Sequence, residues 1–406
     1  MHLELDARTK RAPSRLKGGY GLGLRLFRRA LRAMDKGHLT VILPDGRRMD
    51  HVGSHSGKAA QIQVHDWRAL RRIITGGDLG FADGYLAGEW SSNDLVALIA
   101  LFADNVTDLQ NAMDGFAPVR LINRLRHLLR GNNKRGSRRN IAFHYDLGND
   151  FYRLWLDESM TYSSACALAQ GQSLEQAQTQ KLEQIAALLD LEGSETVLEI
   201  GCGWGALAAH LAQHCGSVTG VTLSREQLGF CYDRVASAGL ANVNFRLQDY
   251  RDLHEKFDRI VSIEMLEAVG EAWWPTYFEK VRSCLKPGGT AVLQVITMRE
   301  DRFESYRSGS DFIQRYVFPG GMLPTPSIIS EQARRAGLVL SRADMFGAGY
   351  ADTLSEWRRR FQANSAKVTQ LGFDAHFLRL WEYYLSYCEA GFRSGTIDVG
   401  LYVLKG

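Results

Sequence analysis

The chain has 406 residues, 45% of them hydrophobic and 23% charged, which suits a soluble protein of two domains. Its six cysteines form no C-x-x-C pair and its histidines no H-E-x-x-H set, so neither disulfides nor a metal site is expected. The longest apolar run, Leu95 to Ala103, falls far short of the about 20 residues of a membrane span, and the N-terminal residues lack a signal peptide's apolar core, so a cytoplasmic protein is expected.

The net charge of +4 is mild but unevenly placed. A basic stretch runs from Arg8 to Arg32, where Leu24, Phe27, Leu31 and Met34 share one helical face and Arg25, Arg28, Arg29 and Arg32 lie largely off it. Such a helix fits either the surface of an anionic membrane or packing on its own domain with solvated arginines. Leu39 to Gly46 reads as a strand and turn, and Trp67 to Thr75 and Asp94 to Phe102 read as helices, so residues 1–116 form a small α/β domain. Residues 117–139 form a basic linker with Arg120, Arg124, Arg126, Arg130, Lys134, Arg135, Arg138 and Arg139 and no acid. No aromatic-interleaved basic motif accompanies them, and nucleic acid is not the expected partner.

Residues 140–406 form the second domain. Ser173 and Gln176 make a capping box for a helix that reaches Leu189, with Leu174, Ala177, Ile185 and Leu188 on or near one face. Val197 to Ile200 is a short buried strand, Gly201, Gly203 and Gly205 turn the chain, and a helix follows from Ala206 to Gln213. Further strands are expected at Ser217–Thr222, Val243–Leu247, Phe257–Ile263 and Thr290–Ile296, with helices between them. This alternation predicts a mainly parallel, doubly wound sheet with its ligand beyond the C-terminal strand ends.

The glycine spacing is G-x-G-x-G rather than the G-x-G-x-x-G of dinucleotide sites, and Gly220 to Ser224 lacks the acid that would hold an NAD ribose. S-adenosylmethionine is therefore the expected cofactor. Glu199, Gly201 and Gly203 lie on the first strand and turn; Thr222, Leu223 and Gln227 follow the second strand; Asp249 and Tyr250 follow the third; Glu264 follows the fourth. All are candidate cofactor-binding residues, although Ser224 and Gln227 can equally do no more than cap a helix.

Longer segments carry a resemblance: His144 to Tyr152, Met160 to Ala165, Phe257 to Met265, Phe312 to Gly321 and Trp381 to Leu385. Together they resemble the cyclopropane-fatty-acyl-phospholipid synthase family. The resemblance implies a Rossmann-like class I methyltransferase domain behind a smaller N-terminal α/β lipid-interacting domain. It implies a cis double bond in a phospholipid acyl chain as substrate, an enzyme associated peripherally with the inner face of the membrane, and contacts from Tyr162, Ser163, Gly201, Leu223, Gln227 and Tyr250 to S-adenosylmethionine. A homodimer and a downstream redox enzyme are partners it leaves open.

The alkene attacks the sulfonium methyl directly, so no activated serine or cysteine is needed. The carbocation left on the chain can be stabilised by aromatic faces, by about 0.5–2 kcal/mol each, and Tyr316, Phe318, Tyr350 and the aromatics near Trp381 are candidates. Loss of a proton from the new methyl closes a ring; loss from a neighbouring chain carbon leaves a branched alkene.

Ring-forming members of the family hold a bicarbonate, thought to be the base, in a pocket built with a Cys, a Glu, a His and a Tyr. This chain keeps Glu267 and Tyr350 but has Ser164 at the Cys position, Ala268 beside Glu267, and Gln294 where the Leu-His-x-Ile strand has its His. Gln294 cannot shuttle a proton. The catalytic candidates are thus Glu267, Tyr350, Gln294 and Ser164, whether bicarbonate binds stays open, and methylation without ring closure is favoured over cyclopropanation. A non-catalytic lipid-binding relative and a methyltransferase for another anionic substrate are the competing readings.

Overall fold

The computed structural model describes residues 20–113 and 147–406, which belong to two compact units. The basic stretch before Tyr20, the linker 117–139 and the start of the motif at His144 lie outside the described residues.

In the first unit, β1 (Lys36–Ile42), β2 (Arg48–Val52), β3 (His55–Val64) and β4 (Trp90–Ser91) form a sheet in the order β2-β1-β3-β4. The β1–β2 hairpin is antiparallel, whereas β1 and β3 run parallel. The helix Tyr20–Arg32 buries Leu24, Phe27 and Leu31, and Met34 is buried just beyond its end, while Arg25, Arg28, Arg29 and Arg32 are exposed. The apolar face therefore belongs to the unit's own core, and of the two readings of this helix that face follows the packing one. The helix expected at Trp67–Thr75 extends from Arg68 to Leu86, because Gly77 (φ 57°, ψ −134°) kinks the chain and lets a second helical stretch follow. Asp94 caps the helix Leu95–Asp104 by accepting from the Ala97 N–H.

The second unit is a seven-stranded sheet in the order β10-β11-β9-β8-β5-β6-β7. Its strands are β5 (Thr196–Ile200), β6 (Ser217–Thr222), β7 (Val243–Leu247), β8 (Phe257–Ile263), β9 (Leu285–Met298), β10 (Val339–Met345) and β11 (Ile397–Lys405). The pairs from β9 through β8, β5 and β6 to β7 are parallel, and β11 lies antiparallel between β9 and β10. Alternation along β5 sends Leu198 and Ile200 into the core on one face and Val197 into the core on the other. The chain moves outward from β5 to β6 and β7, then returns to place β8 on the other side of β5. That reversal is the switch point where open α/β sheets bind ligands.

Helix boundaries follow local chemistry. Ser173 and Gln176 form the expected capping box for Leu174–Leu189, and Ser224 caps Arg225–Ser237. The helix after the glycine turn is shorter than expected, Ala206–Leu211. The last parallel strand is longer, starting at Leu285 and absorbing the Lys286-Pro287-Gly288-Gly289 segment.

The glycine turn shows why side chains are excluded. Gly201, Gly203 and Gly205 have φ values of 84°, 51° and 79°, all left-handed. A Cβ on Gly205 would lie 2.9 Å from Phe245 Cζ and 3.0 Å from Cys231 Sγ. Gly205→Ala is therefore expected to cost about 2–4 kcal/mol, left-handed strain plus overpacking. Gly239→Ala, also left-handed but in open space, should cost about 1–2 kcal/mol. Urea denaturation of both variants checks the difference.

Candidate active site

The site is built where β5 and β8 end. Three segments meet there: the glycine turn after β5, the Glu264–Ala268 turn after β8, and the Tyr162–Ala165 segment. Met265 Cγ lies 3.1 Å from where a Cβ on Gly201 would sit, so the first two turns are in contact.

Glu264 is the centre of a hydrogen-bonded cluster. Its Oε1 accepts from the Ser164 backbone N–H at 2.9 Å and from Gln294 Nε2 at 2.7 Å; its Oε2 accepts from the Tyr350 hydroxyl at 2.6 Å. The Glu264 N–H in turn donates to the Gln294 carbonyl at 2.8 Å, tying the turn to β9. Glu264 is held at φ 50°, a left-handed backbone that few non-glycine residues adopt. Burial raises its pKa, while the Tyr350, Ser164 and Gln294 hydrogen bonds and the Lys181 charge pull it back part of the way.

Three of the four catalytic candidates thus converge on a residue first expected to bind cofactor. Ser164 takes part through its amide; its hydroxyl donates to the Ala165 carbonyl. Gln294 is fully buried and Tyr350 nearly so. Burial and the neighbouring Glu264 charge push the Tyr350 phenol well above its ordinary value, so it stays a donor.

Glu267 is placed differently. Its Oε1 accepts from the Ile296 N–H at 2.5 Å, and its buried Oε2 has no hydrogen-bond partner among the described residues. Burial, with the Glu264 charge adding to it, raises its carboxyl to about 8. Burial thus favours the neutral form of Glu267, and its Oε1 is tied to β9 through the Ile296 N–H.

The cofactor candidates line the neighbouring turn. Glu199 is buried on β5, with Oε2 lacking a partner among the described residues and its pKa pushed well up, first by burial. Thr222 Oγ1 donates to Gln227 Oε1 at 2.7 Å and accepts from the Ser224 N–H. Asp249 is gripped by Arg251 through two side-chain contacts of 2.8 and 2.7 Å, and Arg251 lies over the rings of Tyr250 and Trp273. Asp249 is therefore charge-neutralised, with Tyr250 set edge-to-face on Tyr277. Leu223 is half-buried beside this group. Ser163 Oγ accepts from Lys181 Nζ at 2.7 Å, and its carbonyl accepts from Gln178 Nε2 at 2.8 Å. The Tyr162 and Tyr384 hydroxyls are 2.8 Å apart.

Lys181 was not anticipated. It sits on the inward face of the helix Leu174–Leu189, beside Leu182 and one turn from Ala177 and Ile185, and only 1% of its surface is exposed. A lysine in phase with an apolar face was the available signal. Burial lowers its pKa to about 8, opposed by Glu264 as the largest of the neighbouring charges.

Among the proposed cation-stabilising aromatics, Tyr350 is committed to Glu264 and to a ring contact with Phe392 at 4.5 Å. Tyr316 has the Arg315 guanidinium over its ring at 5.1 Å, so a cation already occupies one face. Phe318 meets Tyr384 edge-on at 6.5 Å, and Trp381 meets Tyr384 at 5.2 Å. This joins them to an aromatic cluster containing Tyr152, Trp155 and Tyr162.

S-adenosylmethionine fits these residues. Gly201 is exposed and Gly203 half-buried, a Cβ on Gly203 would have no neighbour within 4 Å, and Glu199 has an oxygen without a partner among the described residues. Bicarbonate does not fit. The Ser164, Gln294 and Tyr350 donors that an anion would need are spent on the Glu264 carboxylate, and a second anion there would face its charge.

The sequence model of the family described as mycolic acid cyclopropane synthetase matches residues 132–401. The chain is 39% identical over 372 residues to tuberculostearic acid methyltransferase UfaA1 of Mycobacterium tuberculosis, covering 89% of this chain and 86% of the relative. It is 35% identical over 354 residues to the cyclopropane-fatty-acyl-phospholipid synthase of Escherichia coli (strain K12), covering 86% and 88%. The solved structure of mycolic acid cyclopropane synthase CmaA1 complexed with SAH and CTAB matches with a TM-score of 0.62 at 30% identity, over 66% of this chain and 98% of that one.

The Glu267 assignment predicts a pH signature. A carboxyl raised from 4.5 to about 8 on folding holds its proton more tightly in the folded state. Its contribution is fully present below about 4.5 and is lost as the pH climbs through 8. Glu267→Gln should therefore lose less stability than the wild type between pH 5 and 8.5, by at least about 1 kcal/mol or about 2–4 °C in Tm. Parallel Tm–pH curves would contradict this.

Proposed function

Because the chain belongs to the mycolic acid cyclopropane synthetase family, we propose that it methylates the cis double bond of an unsaturated phospholipid acyl chain and leaves a methyl- or methylene-branched product. It is an S-adenosylmethionine-dependent methyltransferase. The observation that carries the branched outcome is Gln294 bonded to Glu264, where ring-forming members are expected to have a titratable histidine. The similarity to a relative named for tuberculostearic acid methylation supports the same reading.

When bound, S-adenosylmethionine supplies an electrophilic methyl on a sulfonium. Glu199, the Gly201–Gly205 turn, Thr222, Leu223, Gln227, Asp249 and Tyr250 would hold it. Lys181, through Ser163, would fix the Tyr162–Ser164 segment beside the bound cofactor. The alkene π pair forms the new carbon–carbon bond and leaves a cation on the adjacent carbon. The rings of Tyr162, Phe318, Trp381 and Tyr384 can lower its energy by about 0.5–2 kcal/mol each. Loss of a chain proton then regenerates a double bond beside the branch.

The N-terminal unit would engage the membrane surface. No helix among the described residues is long and apolar enough to cross a membrane. With Leu24, Phe27, Leu31 and Met34 buried, membrane attraction from this helix would rest on Arg25, Arg28, Arg29 and Arg32. Each is worth up to about 1 kcal/mol near an anionic surface. Replacing all four with Gln should weaken binding to phosphatidylglycerol vesicles at least about tenfold and flatten its salt dependence.

The product itself tests the function. Purified protein, S-adenosylmethionine and vesicles of cis-monounsaturated phospholipid should yield acyl chains heavier by one CH₂ that still carry a double bond by NMR or derivatisation. A saturated three-membered ring as the main product would overturn the branched reading while keeping the substrate class.

A further inference from the structure

The cluster at the end of β8 contains many donors and only one group fitted to receive a proton. Gln294 and the Ser164 amide cannot accept one at neutral pH. Tyr350 donates its proton to Glu264. Glu267 Oε1 is tied to β9 through the Ile296 N–H, and burial favours its neutral form. Lys181 directs its Nζ to Ser163 Oγ. Cys166 is pushed up to about 11 by burial and is not a thiolate at neutral pH. Of these groups Glu264 is the carboxylate held in place by three donors. It also lies beside the cofactor turn through Met265.

Its backbone adds an independent observation. A glutamate at φ 50° bears a strain that glycine would relieve at once. Keeping a carboxylate there despite the strain points from an outlier toward function. The side chain occupies a place where its oxygens satisfy the donors that a small oxyanion would otherwise need.

We propose that Glu264 is the catalytic base of this enzyme, a carboxylate built into the chain that replaces any dissociable anion. The proposal rests on the acyl-chain methylation reading above. After methyl transfer, the bond between a proton and a carbon next to the cationic centre breaks. Its electron pair becomes the new double bond, and the proton forms an O–H bond on a Glu264 oxygen. The neutral acid returns this proton to water once the product leaves. A proton beside a carbocation is strongly acidic, so a carboxylate suffices. Held on the protein near one side of the chain, the base takes a proton within its own reach, which distinguishes it from a dissociable anion that can settle against the new methyl.

The test uses the full-length protein, S-adenosylmethionine and cis-monounsaturated phosphatidylglycerol vesicles, in buffer stripped of carbonate and then with added bicarbonate or formate. Wild type should turn over equally with and without carbonate. Glu264→Gln, which keeps the side chain's size and one acceptor oxygen, should lose about 10²-fold or more in kcat while its Kd for S-adenosylmethionine changes less than about threefold. Glu264→Gly, which relaxes the backbone, should regain at least about tenfold of its lost rate with formate or bicarbonate. Thermal melts of both variants establish that they are folded. A wild type that requires bicarbonate overturns the proposal. So does Glu264→Gln with a raised Kd but unchanged kcat at saturating cofactor, which would return Glu264 to cofactor binding. A wild type that modifies no acyl chain overturns the functional reading and this proposal with it. An active wild type matched by Glu264→Gln overturns this proposal alone.

Discussion

The Glu264 carboxylate, fixed by three donors on a left-handed backbone, is the constraint around which the second unit's site is arranged. Its donors come from the Tyr162–Ala165 segment, from β9 and from the helix Gly347–Ala363, so a single side chain ties together elements far apart in sequence. The sheet order makes this tie possible. Placing β8 beside both β5 and β9 brings the cofactor turn to one flank of Glu264 and Gln294 to the other. Unpaired, each donor would cost about 1–3 kcal/mol to bury, so the same bonds that position the carboxylate also hold the site closed on itself.

Two neighbouring glutamates illustrate how environment divides labour. Glu264 and Glu267 are three residues apart, yet one has three donors and a nearby lysine, the other a single backbone N–H. The donors favour the charged form of Glu264, and its charge helps hold Glu267 neutral. Lys181 completes the balance from within the core, where burial disfavours its charge and the neighbouring Glu264 most strongly opposes that.

Much of this architecture was legible in the sequence. Strand and helix periodicity located the parallel strands, and the glycine spacing located the turn that needs left-handed backbone. The motifs at Met160–Ala165 and Phe257–Met265 carried the family. What escaped was three-dimensional. Glu264 read as one more strand-end residue because its partners lie at Ser164, Gln294 and Tyr350, distances in sequence that no local pattern spans. Lys181 carries little signal of its burial because a lysine in a helix is usually solvated. The continuation of the helix past Gly77 is not legible in sequence because glycine disfavours helix interiors. In the N-terminal helix, periodicity identified the apolar face but could not say whether protein or lipid covers it; burial of Leu24, Phe27 and Leu31 assigns it to protein.

In the proposed mechanism the cofactor occupies the Gly201–Gly205 turn while Glu264 keeps its three donors and faces the reacting carbon. A crystal structure of the full chain with S-adenosylhomocysteine tests it most directly. The predicted result is the homocysteine portion lying along Glu199 and the glycine turn, with Ser164 N–H, Gln294 and Tyr350 still bonded to the Glu264 carboxylate. A Glu264 side chain released from those donors and bonded to the cofactor itself would contradict it.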